Sequence, residues 1–153
     1  AQREVLRMIP GLEETEVLRW GSIHRNTYLN TPAALSPYLS APDDPRLMFA
    51  GQLVGVEGYT ESLACGLVCG INLARLLAGE DPVLPPEETM LGSLFRYVGG
   101  ADAKRFQPMN ANFGLLPPLA ARIRDKRKKR AALATRALEA MSVFMRGLSG
   151  VPA

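Results

Sequence analysis

The chain has 153 residues and a mass of 16.6 kDa, 47% of them hydrophobic and 22% charged, which suits one globular domain and excludes disordered, collagenous and coiled-coil classes. The net charge is only +3, yet nine basic and two acidic residues from Leu119 onward set the tail at +7 and the first 118 residues at −4, so a net-acidic body carries a basic tail. The longest apolar run, Leu63 to Leu77, is broken by Asn72 and Arg75 and falls short of the roughly 20 residues of a membrane span. No transmembrane helix is therefore expected. Two cysteines, Cys65 and Cys69, are too few for a disulfide framework, and no charged-then-apolar start marks a signal peptide, so the expected compartment is the cytoplasm.

The opening Ala1-Gln-Arg-Glu-Val-Leu-Arg-Met-Ile-Pro reads as the last turns of a helix stopped by Pro10 and Gly11, without an initiator Met, as in a piece of a longer chain. Glu16 to Gly21 has extended character. Tyr28 to Pro45, with four prolines, is expected to be an irregular loop. Arg46-Leu-Met-Phe-Ala, ended by Gly51, fits a short buried strand. Gly51-Gln-Leu-Val-Gly-Val-Glu-Gly-Tyr-Thr-Glu-Ser then feeds a long helix from about Ser62 to Ala78-Gly79, where glycine is a natural stop. That helix is apolar nearly all round and should be buried on several sides, with Ala64, Gly66 and Gly70 permitting close approach of a neighbouring backbone. A shorter helix is expected from about Glu88 to Val98. Phe106 to Pro118 is too rich in Pro and Asn for regular structure. The last segment, about Leu119 to Leu148, reads as a helix with a basic first half and an apolar stripe of Leu133, Leu138, Met141, Phe144 and Met145.

Four of these stretches have chemical content. A strand and glycine turn leading into a helix start present free N–H groups and the positive end of the helix dipole to a phosphate or an electron-rich ring edge. The spacing Gly51, Gly55, Gly58 is not the dinucleotide fingerprint, and a plain tight turn is the alternative. Cys65 and Cys69 stand at i, i+4 among small apolar residues. Two ligands make no zinc site and the spacing is not that of thioredoxin, so they read as buried packing residues. His24, Arg25, Asn26 and Tyr28 form a polar strip that either braces the fold or lines a pocket. Phe106-Gln-Pro-Met-Asn-Ala-Asn-Phe-Gly combines aromatics and amides suited to a flat heteroaromatic ring, or to an Asn-rich turn. Arg122 to Arg130 holds seven positive charges in nine residues. Repulsion that dense points to a polyanionic partner rather than a solvated face.

Taken in order, Ile9-Pro-Gly-Leu-Glu, His24-Arg-Asn-Thr, Phe49-Ala-Gly-Gln-Leu-Val-Gly-Val-Glu-Gly-Tyr-Thr-Glu-Ser, Gly70-Ile-Asn-Leu-Ala-Arg and Phe106-Gln-Pro-Met-Asn-Ala-Asn-Phe-Gly-Leu-Leu-Pro closely resemble the C-terminal third of the folate- and FAD-dependent tRNA (uracil-5-)-methyltransferase family. The resemblance implies an α/β fold, part of a Rossmann-like FAD-binding domain. Residues 1–118 would belong to that domain, and residues 119–153 would be its basic C-terminal helix. It implies transfer of a one-carbon unit from methylenetetrahydrofolate to C5 of a tRNA T-loop uridine, with NAD(P)H as reductant.

On this resemblance Gly51, Gln52, Gly55, Glu57, Gly58, Tyr59 and Thr60 are expected to hold FAD. His24, Arg25, Asn26, Asn110, Asn112 and Phe113 would face the folate. Arg122, Arg124, Lys126, Arg127, Lys128, Lys129 and Arg130 would contact tRNA. The family's nucleotide fingerprint and catalytic cysteines lie upstream, so no catalytic residue and no metal ligand is assigned, and the upstream part of the polypeptide is an implied partner. The alternatives are the related flavoprotein that modifies wobble uridines, with which the glycine-turn motif is shared, and a non-catalytic RNA-binding adaptor.

Overall fold

A glycine turn and the apolar helix behind it organise the core. The computed structural model describes residues 2–18 and 26–149. Its elements are α1 (Gln2–Arg7), α2 (Thr31–Ala34), a single 3-10 turn at Gly51–Val54, α3 (Tyr59–Leu77), α4 (Met90–Gly100) and α5 (Lys126–Ser149). Val54, Val56, Cys65, Val68, Leu94, Phe95 and Phe106 form the centre of the core, where α3 packs against the 3-10 turn and α4.

The strand expected at Arg46 to Ala50 does not form. Among the described residues, pairing is limited to two isolated bridges, Ser40 with Met48 and Val56 with Met109, so the α/β expectation meets a helical chain. The cause is local. Asp44 accepts the Arg46 N–H at 3.1 Å, Leu39 takes a left-handed φ of +64°, and residues 36–49 fold back on themselves through Ala41 N–H to Leu47 O and Phe49 N–H to Leu39 O. The preceding loop is not wholly irregular either, because Pro32 opens the short α2. Helix α4 begins at Met90 because Thr89 Oγ1 accepts the Gly92 N–H at 2.9 Å and donates to Pro86 O at 2.7 Å.

Helix α3 starts three residues earlier than expected and has one buried face rather than several. Cys65, Val68, Cys69 and Asn72 point inward, while Tyr59, Leu63 (76% exposed), Leu67 (62%) and Leu77 face out. Gly66 and Gly70 lie on the open side, with nothing within 4 Å of where a Cβ would stand. At 19 residues α3 reaches the length and composition of a membrane span, which the broken apolar run had not suggested. Its inward face nevertheless belongs to the core.

Asn72 explains how a polar residue tolerates that core. Its Nδ2 donates to Val83 O at 2.9 Å and its Oδ1 accepts the Val83 N–H at 2.8 Å, which satisfies a fully buried amide. Asn72→Ala should cost about 2–4 kcal/mol in denaturant unfolding of the intact protein, because both Val83 groups lose their partner. A loss below about 0.5 kcal/mol would show that water replaces the amide.

Residues 119–125 are not helical, so α5 begins later than the sequence suggests. Asp125 starts it, its Oδ1 accepting the Lys128 N–H at 2.7 Å and its carbonyl accepting the Lys129 N–H at 2.9 Å. Arg136 reaches back to the Pro117 and Pro118 carbonyls at 2.6 and 2.9 Å and ties the helix to the body. The expected apolar stripe is incomplete: Leu133 is buried and Met141 and Phe144 half-buried, but Leu138 (70%) and Met145 are exposed.

Candidate functional site

Two sequence motifs distant along the chain are joined at one place. The Gly55 carbonyl accepts the Met109 N–H at 2.9 Å and the Met109 carbonyl accepts the Glu57 N–H at 3.0 Å, which stitches the Asn-rich loop to the glycine turn. Gly55 and Gly58 have φ of +85° and +94°, values that side-chain-bearing residues rarely adopt. A Cβ on Gly55 would lie 2.5 Å from Phe106 Cζ, and one on Gly58 would meet the Glu61 carboxylate and lie 3.1 Å from Asn110 Nδ2. Phe106 is fixed between Tyr28 and Tyr97, with ring centroids 6.0 and 5.9 Å away. The turn is therefore shaped by tertiary contacts as well as by its glycines.

Beside the turn lies an open depression of about 590 Å3 lined by Asn26, Gln52, Gly58, Tyr59 and Ser62. Gly58 is the N-cap of α3 and brings no side chain, so the first-turn N–H groups have no side-chain cap. Glu61 sits in that first turn and draws on the positive end of the helix dipole.

The structure sorts the expected residues. Gln52, Gly58 and Tyr59 line the depression, Thr60 is exposed next to them, and Tyr59 is fully exposed. Gly51 and Gly55 are buried beneath, and the Glu57 N–H is engaged by Met109. Asn26 is on the lining and Asn110 lies beside Gly58. Asn112 is taken up by its own turn, accepting the Gly114 N–H and donating to Asn110 O. Phe113 is not on the lining: Arg130 lies over its ring at 5.4 Å from the centroid. His24 and Arg25 lie outside the described residues. Lys126, Arg127, Lys128, Lys129 and Arg130 are exposed at the start of α5, and Arg122 and Arg124 are exposed before it.

Ser62, which is not among the residues expected from the sequence, lines the depression and donates to Val56 O at 3.4 Å. Its place four residues after a glycine N-cap is the signal that could have found it. Asp125, an Asx residue immediately before a basic helix, was likewise legible as a cap.

Cys65 and Cys69 are buried, as expected of packing residues. The Gly51 N–H donates to Cys65 Sγ at 3.5 Å and the Cys69 thiol donates to Phe49 O at 3.3 Å, so the pair anchors the turn to α3. The Cys69 thiol beside it, and then the Gly51 N–H, hold the Cys65 thiol below its ordinary pKa against the effect of burial. The neighbouring Cys65 thiol, and then burial, push Cys69 up.

Comparison with known proteins adds a lineage to this geometry. Residues 1–81 match the family described as Glucose inhibited division protein A. Proteins named methylenetetrahydrofolate–tRNA-(uracil-5-)-methyltransferase TrmFO are similar over nearly the whole chain. That of Pelotomaculum thermopropionicum is 53% identical over 143 residues, 94% of this chain and 33% of its own length. That of Shouchella clausii is 52% identical over 145 residues, 95% and 33%. That of Anoxybacillus flavithermus is 51% identical over 148 residues, 97% and 34%. The chain thus spans about a third of the length of the curated relatives it matches.

Proposed function

The chain belongs to the Glucose inhibited division protein A family, and on that premise we propose that it is the C-terminal segment of a flavoenzyme that methylates C5 of a T-loop uridine in tRNA, with methylenetetrahydrofolate as carbon donor, FAD as flavin and NAD(P)H as reductant. The observation that carries the reading is that the glycine turn and the uncapped start of α3 line one depression while the Asn-rich loop is hydrogen-bonded to that turn, with Asn110 beside Gly58. Relatives bearing the methyltransferase name at 51–53% identity over most of this chain support the choice of reaction.

The residues present suit a flavin edge. Gly58 leaves bare backbone where a side chain would intrude, the first-turn N–H groups of α3 favour negative charge, and Tyr59 and Gln52 offer a ring face and an amide at the rim. Bound FAD would supply the redox carrier that the chain's own side chains cannot. Gly51, Gly55 and Glu57 would support this wall from below, and Thr60 would flank it. Asn26 and Asn110 would give the folate ring its edge hydrogen bonds, with His24 and Arg25 on the same strip and Asn112 shaping the loop. The helices would pack on the sheet of a Rossmann-like α/β FAD domain, residues 1–118 forming part of it and 119–153 its basic tail. The exposed Leu63, Leu67 and Leu77 face of α3 would meet the upstream part of the polypeptide. A tRNA substrate would place the enzyme in the cytoplasm, away from any membrane.

The basic run would hold tRNA phosphates through Arg122, Arg124 and Lys126 to Arg130, positioning the RNA without reading bases. The family match covers residues 1–81 only and stops short of the Asn-rich loop, which keeps the wobble-uridine flavoprotein as a second reading. Mapping the nucleoside made by the intact protein on unmodified tRNA decides between them: 5-methyluridine in the T-loop is expected. A C5-aminomethyl derivative at the wobble position would overturn the methyltransferase reading, and a colourless protein that alters no nucleoside would leave an RNA-binding adaptor.

A further inference from the structure

We propose that Phe113 and Arg130 form a stacking platform for an unpaired nucleobase of the RNA held by the basic segment; this rests on the tRNA reading above and moves Phe113 from the folate side to the RNA side. Phe113 is 37% exposed, off the lining of the depression, with the Arg130 guanidinium 5.4 Å from its ring centroid. The other aromatic of the loop, Phe106, is buried between Tyr28 and Tyr97 and has no face to offer. The two phenylalanines therefore have separate tasks, one supporting the glycine turn and one presented outward.

The presentation is rigid. Asn112 accepts the Gly114 N–H at 2.9 Å and donates to Asn110 O at 3.0 Å, so the backbone carrying the ring is closed into a turn before anything binds. A ring held in place loses little freedom on stacking. Arg130 is the last of the exposed cations that open α5, so the ring it lies over stands at one end of the basic run that would hold the phosphates. Phosphate contacts carry no base information, whereas an aromatic face with a guanidinium beside it gains energy from any flat base able to leave its helix. Bases within a duplex are already stacked, so the platform takes one from a loop or an end.

The test uses the intact protein and two probes: an unmodified T-arm hairpin RNA and a blunt RNA duplex of equal length. Phe113→Ala and Phe113→Leu, the second keeping apolar bulk without a π face, should each weaken hairpin binding roughly 5- to 100-fold, with duplex binding and the salt dependence of both probes unchanged. Phe113→Trp should retain hairpin affinity. Wild-type hairpin affinity in a folded Phe113→Leu protein overturns the platform, as does an equal loss on the duplex. Loss of folate-driven flavin reduction with hairpin affinity intact returns Phe113 to the folate side and also overturns it. If the wild type binds neither RNA, the tRNA reading fails and the platform falls with it.

Discussion

Gly58→Val in the intact protein is expected to yield enzyme nearly free of flavin. Two costs coincide at this position. A φ of +94° is strained for any side-chain residue and most of all for a β-branched one, by about 1–3 kcal/mol. The added Cβ also meets the Glu61 carboxylate and presses on Asn110, so the groups displaced stand next to Gly58, which itself lines the depression. Together these should reduce flavin affinity by at least about 10- to 100-fold, read as flavin absorbance per protein after gel filtration. Gly66→Ala provides the matching control. It sits on the open side of the same helix with space around it, and alanine in a helix interior is favoured over glycine by about 1 kcal/mol. It should therefore keep full flavin content. Full occupancy in the Gly58 variant would remove the turn from the flavin site.

The second large effect is expected from reversing charge at Lys126, Lys128, Lys129 and Arg130 together. Four lost phosphate contacts should lower tRNA affinity at least about 100-fold at low salt and reduce the slope of log affinity against log salt by about 3 to 4. What makes this test sharp is where the cations stand. They occupy the first turns of α5, at the positive end of its dipole, with no acidic residue in the first turn. Each cation there opposes the helix by about 0.3–1 kcal/mol, so the cluster weakens the element that carries it. Glutamates at Lys126, Lys128 and Lys129 should strengthen α5 while abolishing RNA binding, and effects of opposite sign exclude unfolding as the cause. Flavin content should stay at the wild-type level. Normal tRNA binding by the quadruple variant at moderate ionic strength would reduce the run to a solvated face.

Several features were legible from residues alone because their physics is local. The stop of α3 follows from Gly79, whose φ of +77° a helix end readily takes. The absence of helix and strand between Phe106 and Pro118 follows from its prolines and asparagines. The charge of the tail is a count, and the motif string of the Asn-rich loop identifies a lineage without any coordinates. Cap chemistry is equally local: the Thr89 and Asp125 caps start α4 and α5 later than the apolar and charge patterns suggest.

What the sequence could not decide is everything that needs a partner. A run such as Arg46 to Ala50 has strand character, but a strand exists only where another backbone lies alongside, and here the chain folds back on itself instead. Helix α3 is apolar nearly all round, so composition alone implies burial on several sides. Tertiary packing chose the Cys65, Val68, Cys69 and Asn72 face for the core and left Leu63, Gly66, Leu67 and Gly70 outside. The neighbours of the Asn-rich loop were undetermined for the same reason. Asn110 and Phe113 are three residues apart in one motif, yet the first lies at the glycine turn and the second under Arg130. The sequence by itself determined which chemical groups the chain carries and where its turns and caps can form; only the tertiary structure decided which of them meet, because burial and pairing depend on surfaces brought from elsewhere in the chain.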